Sequence, residues 1–147
     1  MKRTQNAFTL VEMLIVVAII SILAAMAISS FSNAAQDSRA VVVSQQLASV
    51  QEAVNNWAAR QIGRVTAVGG NPTSIEQVRV IYNAPTTASG RLAVFAGYLD
   101  ESTRSTLSAD DTTGQVTSDA MRQTGRWLTL PAWDPAVGKY PKVQITP

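Results

Sequence analysis

Glu12 is the residue whose placement asks for a chemical explanation. It is the one charge in an apolar run over residues 7–28, AFTLVEMLIVVAIISILAAMAI. A lone ionised carboxylate costs roughly 2.5–3.5 kcal/mol at the centre of a bilayer on insertion scales, so it usually marks a function. The bland reading is a carboxylate near a helix end that reaches the headgroups. The rest of the chemical inventory is thin. There is no cysteine, which removes disulfides, thiol nucleophiles and thiolate metal sites. There is no histidine, the commonest general base and metal ligand. No Gly-x-Ser-x-Gly, no phosphate-binding Gly-x-x-x-x-Gly-Lys and no paired-histidine motif occurs. Asp110, Asp111, Asp119 and Asp134 are oxygen donors of the kind calcium takes, but the EF-hand spacing is absent. They read as solvated loop acids, and the same scatter argues against a glycosidase pair. The inventory implies no enzyme and no cofactor, with calcium the one metal whose chemistry the donors would suit.

The elements that must position Glu12 are legible. Residues 8–28 number 21, and at about 1.5 Å rise per residue a helix of that length spans roughly 30 Å, enough for a bilayer core. A basic leader with Lys2 and Arg3 precedes it, and no further base follows until Arg39. Positive-inside reasoning therefore puts the N-terminus in the cytoplasm and the remainder outside. From Asn33 to Ile62 the pattern stays helical. Val43, Leu47, Val50, Val54 and Trp57 step by four and three along one face, with Asp37, Arg39, Glu52 and Arg60 mostly off it. Nothing between Phe8 and Ile62 is Pro or Gly, and Gly63 is placed as a C-cap. One helix of roughly 50 residues follows, apolar all round in its first half and on one face in its second. A coiled coil would give the same stripe, but it covers only about two heptads. Trp57 on the stripe reads as core.

Beyond Gly63 the chain reads as a small α+β domain. Residues 65–72 form a turning connector. Thr73-Ser74-Ile75-Glu76 reads as a capping box opening a helix over 74–82, although Val78, Val80 and Tyr82 alternate as a strand would. Residues 85–90 and 108–118 read as loops by composition, and 91–107 as mixed, with Leu92, Phe95 and Leu99 on a helical face. Trp127–Leu130 and Lys142–Ile145 read as strands of an antiparallel hairpin joined through 131–141 and packed on the helix stripe. Pro131 and Pro141 suit strand ends or an edge. The expected divisions are 1–7 leader, 8–28 membrane helix, 29–63 amphipathic continuation and 64–147 head domain. The expected fold class is α+β: a long N-terminal helix with a small antiparallel β-sheet head.

Ala7-Phe8-Thr9-Leu10-Val11-Glu12 followed by the apolar run resembles the processing site of type IV pilins and type II secretion pseudopilins. The resemblance covers roughly residues 1–35. It implies that a prepilin peptidase cuts between Ala7 and Phe8, that the new N-terminal Phe8 is N-methylated, and that Glu12, fifth in the mature chain, is needed for assembly into a filament. The implied partners are other copies of the chain, the peptidase and methylase, an inner-membrane assembly platform and the membrane. The implied location is the bacterial inner membrane as a precursor, then a periplasmic or extracellular filament. Three features depart from the family pattern: Ala7 stands where Gly is usual, the helix-breaking Pro near the far end of the run is missing, and there is no C-terminal disulfide. Ser29 and Ser30 occupy the region of that Pro and could bend a helix by bonding back to carbonyls one turn earlier.

The cut would give Phe8 a charged amine four positions from Glu12, and positions i and i+4 of a helix share a face. The amine could then pair with Glu12 of its own chain or of a neighbour, which in low dielectric would act as a register signal. The cut also changes the charge balance. Lys plus Arg is 12 and Asp plus Glu is 10; removing Lys2 and Arg3 leaves 10 of each. The basic net charge is thus no nucleic-acid footprint. Arg60, Arg64, Arg79 and Arg91 could form a DNA-uptake patch, but no aromatic–basic interleaving accompanies them. Competing readings are an ordinary signal peptide cut near Ala25-Met26-Ala27, an uncleaved anchor carrying a periplasmic adaptor, and a minor tip subunit.

Overall fold

A computed structural model describes residues 8–65 and 70–147. The leader 1–7, with Ala7, and residues 66–69 of the connector lie outside the described residues. The chain divides into two units, one ending at Ser38 and one spanning Arg39–Pro147.

Helix α1, Leu10–Gln61, runs for 52 residues and contributes to both units. The absence of Pro and Gly lets the backbone ladder continue without a break. Ser30 Oγ donates to the Met26 carbonyl at 3.4 Å, the bond to the preceding turn that its sequence position suggested, and α1 stays helical through it. The Ser29 side chain lies outside the described residues. The helix stops where expected. The Ile62 N–H donates to Ala58 O at 3.2 Å, and Gly63 turns the chain with φ +79°, a left-handed conformation that L side chains resist. The Gly63 N–H then donates to Thr73 O at 2.8 Å, and the Thr73 N–H returns to Arg64 O at 3.0 Å.

In the unit Arg39–Pro147, the α1 stripe is the spine of the core. Val43, Val50, Val54 and Trp57 are buried with Ala53 and Ala58, and Leu47 is half-buried against them. The helices that follow are short and individually capped. Helix α2, Ile75–Asn83, starts at Ser74 with a reciprocal capping box to Gln77. The box is one residue later than Thr73–Glu76, with Ser74 as the extended N-cap and Gln77 as its reciprocal partner. Val78 and Tyr82, one turn apart, face inward, which settles the helix-or-strand ambiguity of this stretch. Helix α3, Ala88–Phe95, begins inside the stretch expected as loop; Thr87 caps it and Phe95 is buried. A 3₁₀ turn, Ala96–Tyr98, leads to helix α4, Glu101–Thr106, capped by Asp100.

Residues 108–118, expected as loop, hold two strands. Strand β1, Ser108–Asp110, pairs antiparallel with β2, Gln115–Thr117. Their outward positions are polar, so composition concealed them; Ala109 and Val116 are the inward pair. Ser118 then caps a short helix, α5, Asp119–Gln123. Strand β3, Trp127–Thr129, and strand β4, Gln144–Thr146, complete a four-stranded antiparallel sheet in the order β1-β2-β3-β4. Ala109, Val116, Leu128 and Ile145 form one row across it, the cross-strand contact that stabilises a sheet of such short strands. Val116 and Leu128 share one core with the α1 stripe, so the expected packing of strands on that face is found.

Strand β4 begins two residues later than the 142–145 expectation. The Val143 N–H is held by Gln51 Oε1 at 2.8 Å, and Gln51 Nε2 donates to Pro141 O at 2.9 Å. The Asn83 amide grips Trp133 in the same two-point manner, accepting its N–H at 2.7 Å and donating to its carbonyl at 3.1 Å. These two side-chain amides fix the long segment between β3 and β4.

Candidate functional site

The start of α1 carries Phe8 and Glu12, two of the residues expected to be functional. Thr9 is its N-cap. The Glu12 N–H donates to Thr9 Oγ1 at 3.2 Å, while Glu12 Oε2 accepts the Thr9 backbone N–H at 2.8 Å and its hydroxyl at 3.0 Å. The Met13 N–H to Thr9 O bond at 3.2 Å is the first of the ladder. This is a reciprocal capping box of the Thr-x-x-Glu type. It satisfies donors that hydrocarbon would otherwise leave orphaned at a helix end. Thr9 is the cap residue that the sequence reading missed, although the Thr-x-x-Glu spacing was there to find it.

The box also changes the relation between Phe8 and Glu12. Phe8 lies before the N-cap, outside the helix, and is 79% exposed. The i, i+4 facing expected of this pair in the cut chain holds only within a helix, and in the uncut chain Phe8 lies outside it. Among the described residues, no donor reaches Glu12 Oε1. Ala7, the other expected processing residue, lies outside the described residues.

Within the unit ending at Ser38, the described residues of the apolar run are exposed. Its large apolar residues from Phe8 to Phe31 are between 48% (Val16) and 81% (Leu10) exposed. An 18-residue window of α1 near the N-terminus has a mean hydropathy of 2.7 and no buried residue. The helix is long and apolar enough to cross a membrane, and carries one carboxylate in its first turn.

The other expected chemistry resolves into local structure. Asp110 Oδ1 accepts the Thr112 and Thr113 N–H groups at 2.8 and 3.4 Å, which holds its carboxyl below the usual aspartate value. Asp111 reaches α3 and accepts the Ser89 hydroxyl at 2.5 Å and its backbone N–H at 2.7 Å, with the same direction of shift. Asp119 pairs with Arg122, and Asp134 accepts the Ala136 N–H at 2.8 Å. Among the described residues, no three acidic side chains converge as a metal site would need. Of the four arginines considered as a patch, Arg91 donates to Leu130 O at 2.6 Å and Pro85 O at 3.1 Å, Arg79 pairs with Glu76, and Arg60 lies over the Tyr98 ring. Gln46, on the buried stripe and 9% exposed, accepts the Ser118 hydroxyl at 2.7 Å and donates to Thr106 Oγ1 at 3.3 Å.

Residues 2–28 match a family model described as the prokaryotic N-terminal methylation motif. That motif is characteristic of type IV pilins and pseudopilins, and residues 2–28 are similar to it. No curated protein and no solved structure matches the chain.

Proposed function

We propose that this protein is the structural subunit of a type IV pilus-like or type II secretion pseudopilus-like filament. The precursor is held in the bacterial inner membrane by α1, with its N-terminus cytoplasmic. A prepilin peptidase cuts between Ala7 and Phe8, and the Phe8 amine is then N-methylated. An inner-membrane assembly platform lifts the mature chain into a filament of its own kind. The role is structural rather than catalytic.

The observation that carries this reading is the pairing of the methylation motif with the exposed apolar run at the start of α1. Contiguous exposed apolar surface of this extent needs lipid or protein to cover it. Inside the membrane lipid does so; outside it, the same surface on other copies is the natural cover. The Glu12 carboxylate, whose Oε1 meets no donor among the described residues, is the group that would receive a Phe8 amine, and an unpaired charge in that environment is costly enough to set subunit register.

The test is the N-terminal mass of the membrane-extracted protein, taken from cells with their own processing machinery. A chain starting at N-methylated Phe8 is the expected result. A start at Ile28 would mean ordinary secretion, and an intact Met1 an uncleaved anchor; either overturns the reading. Electron microscopy of sheared surface fractions then separates a bulk filament subunit from a tip subunit or an adaptor.

A further inference from the structure

The segment leading into β4 carries charge that the chain itself does not answer. Lys139 and Lys142 are exposed and flank a cleft of about 370 Å³, lined also by the Tyr140 ring and by Gln51 and Asn55 of α1. Every acid of the chain lies within the described residues, and none pairs with either lysine; the ion pairs found among them all use arginine. Gln51 is spent on Pro141 O, on the Val143 N–H and on Asn55 Oδ1, to which its Nε2 donates at 3.0 Å. That bond leaves Asn55 Nδ2 as a donor with no acceptor among the described residues. Two ammonium groups and an amide donor thus line one cleft. A carboxylate is the group that such a donor set holds best.

The sheet shows where a carboxylate would come from. Residues 135–147 hold two bases and no acid, whereas residues 100–119 hold five acids and one base. The two stretches flank opposite edges of the sheet, because β1 and β4 are its outer strands. The register brings them level: Asp110, Gln115, Thr129 and Gln144 form one row, so β1 ends where β4 starts. Three strand spacings, about 14 Å, separate these edges within one chain; two copies side by side bring them together. Of the five acids, Glu101 and Asp119 pair with arginines, Asp111 is held by Ser89, and Asp100 caps α4. Asp110 uses only Oδ1, on the Thr112 and Thr113 N–H groups, and its Oδ2 meets no donor among the described residues. We propose that the cleft beside β4 receives the Asp110 carboxylate of a second copy of this chain, joining head domains edge to edge. The inference rests on the filament reading given above. Cleft and carboxylate lie on different edges, so the contact is heterologous, and its repetition builds a line of subunits unless the rotation closes a ring.

Carbodiimide coupling of sheared filaments of the full chain tests this. The reagent joins a lysine amine to a carboxylate in contact with it, forming an amide and taking up the lost water as a urea. The expected product is a gel ladder whose dimer band, unlike the monomer band, yields a peptide pair joining Lys139 or Lys142 to Asp110. Asp110→Asn keeps the Oδ1 acceptor for the hairpin turn and removes the charge. It should abolish that link and lower filament yield about tenfold, the loss expected of one desolvated charge pair. Lys139→Glu with Lys142→Glu should lower the yield as much while leaving Tm unchanged, since both side chains are exposed. Wild-type filaments whose two lysines couple to another carboxylate, to a different protein or to nothing overturn the proposal. So does an Asp110→Asn chain with the ordinary filament yield. A wild-type chain that is cut at Phe8 but forms no filament overturns the filament reading itself, and this proposal with it.

Discussion

Tyr82 offers a test of how completely the head-domain core is satisfied. Its ring is fully buried, 5.9 Å from Trp57 and 6.3 Å from Trp133, and its hydroxyl has no hydrogen-bond partner among the described residues. Burial pushes the phenol up from 10.0 to about 12, against the opposing pull of the Arg91 charge. Tyr82→Phe removes the oxygen and keeps the ring. A buried hydroxyl without a partner costs about 1–3 kcal/mol, so the variant should gain about 1 kcal/mol at neutral pH, a rise in Tm of roughly 4 °C for a domain of this size. The alkaline behaviour supplies an independent arm. The folded state holds this proton more tightly than the unfolded chain does. Its contribution is therefore complete below pH 10 and lost as the pH rises from 10 to about 12. Two pH units correspond to about 2–3 kcal/mol. Thermal melts of detergent-solubilised wild type and Tyr82→Phe, followed by near-ultraviolet dichroism between pH 7 and 12, should diverge above pH 10, with wild type falling faster. A variant that loses 1 kcal/mol or more at pH 7, or parallel alkaline limbs, would refute the reasoning.

Further outcomes follow from single side chains. Glu12→Ala should leave the protein in the membrane fraction yet block filament growth; ordinary filaments from that variant would end the register argument. Gly63→Ala should cost about 1–2 kcal/mol in a thermal melt, because φ +79° is strained for any side chain. Among the described residues no atom lies within 4 Å of the added methyl, so the loss would be backbone strain. Asp111 is held below its ordinary 3.8 by the Ser89 hydroxyl and N–H. Its contribution is present above that value and fades as the pH drops through the lowered one. Acid titration should therefore narrow the stability gap between wild type and Asp111→Ala as the pH falls below about 4; a gap that widens with acid would contradict it.

How much of the structure the sequence disclosed depends on the range over which each signal acts. The long helix was readable because the absence of Pro and Gly, the four–three stripe and Gly63 are all properties of the chain itself. The β1–β2 hairpin was not. Its inward residues are one Ala and one Val, and it forms because α3 and the β3 strand give it neighbours. The late start of β4 could not be read either, since Gln51 competes for the Val143 N–H from 92 residues away. Gln46 interrupts an apolar stripe with an amide whose partners, Thr106 and Ser118, lie 60 and 72 residues distant. At the helix start the signal was local and present. Thr9 and Glu12 were read as parts of a processing motif, and their three-residue spacing was not also read as a cap.

That double meaning bears on the proposed register signal. An amine on Phe8 and a carboxylate on Glu12 of the same chain would meet by periodicity if both lay on the helix, but α1 begins at Leu10. The capping box fixes Glu12 through Oε2 and leaves Oε1 without a donor among the described residues. A carboxylate fixed in this way loses little rotamer freedom on accepting a further donor, which makes it a better receptor for an incoming charge than a free one. The donor need not disturb the cap to reach it. Under the proposed function, the favoured source is therefore the Phe8 amine of a neighbouring subunit. Thr9, by holding Glu12, would keep it ready for the next subunit.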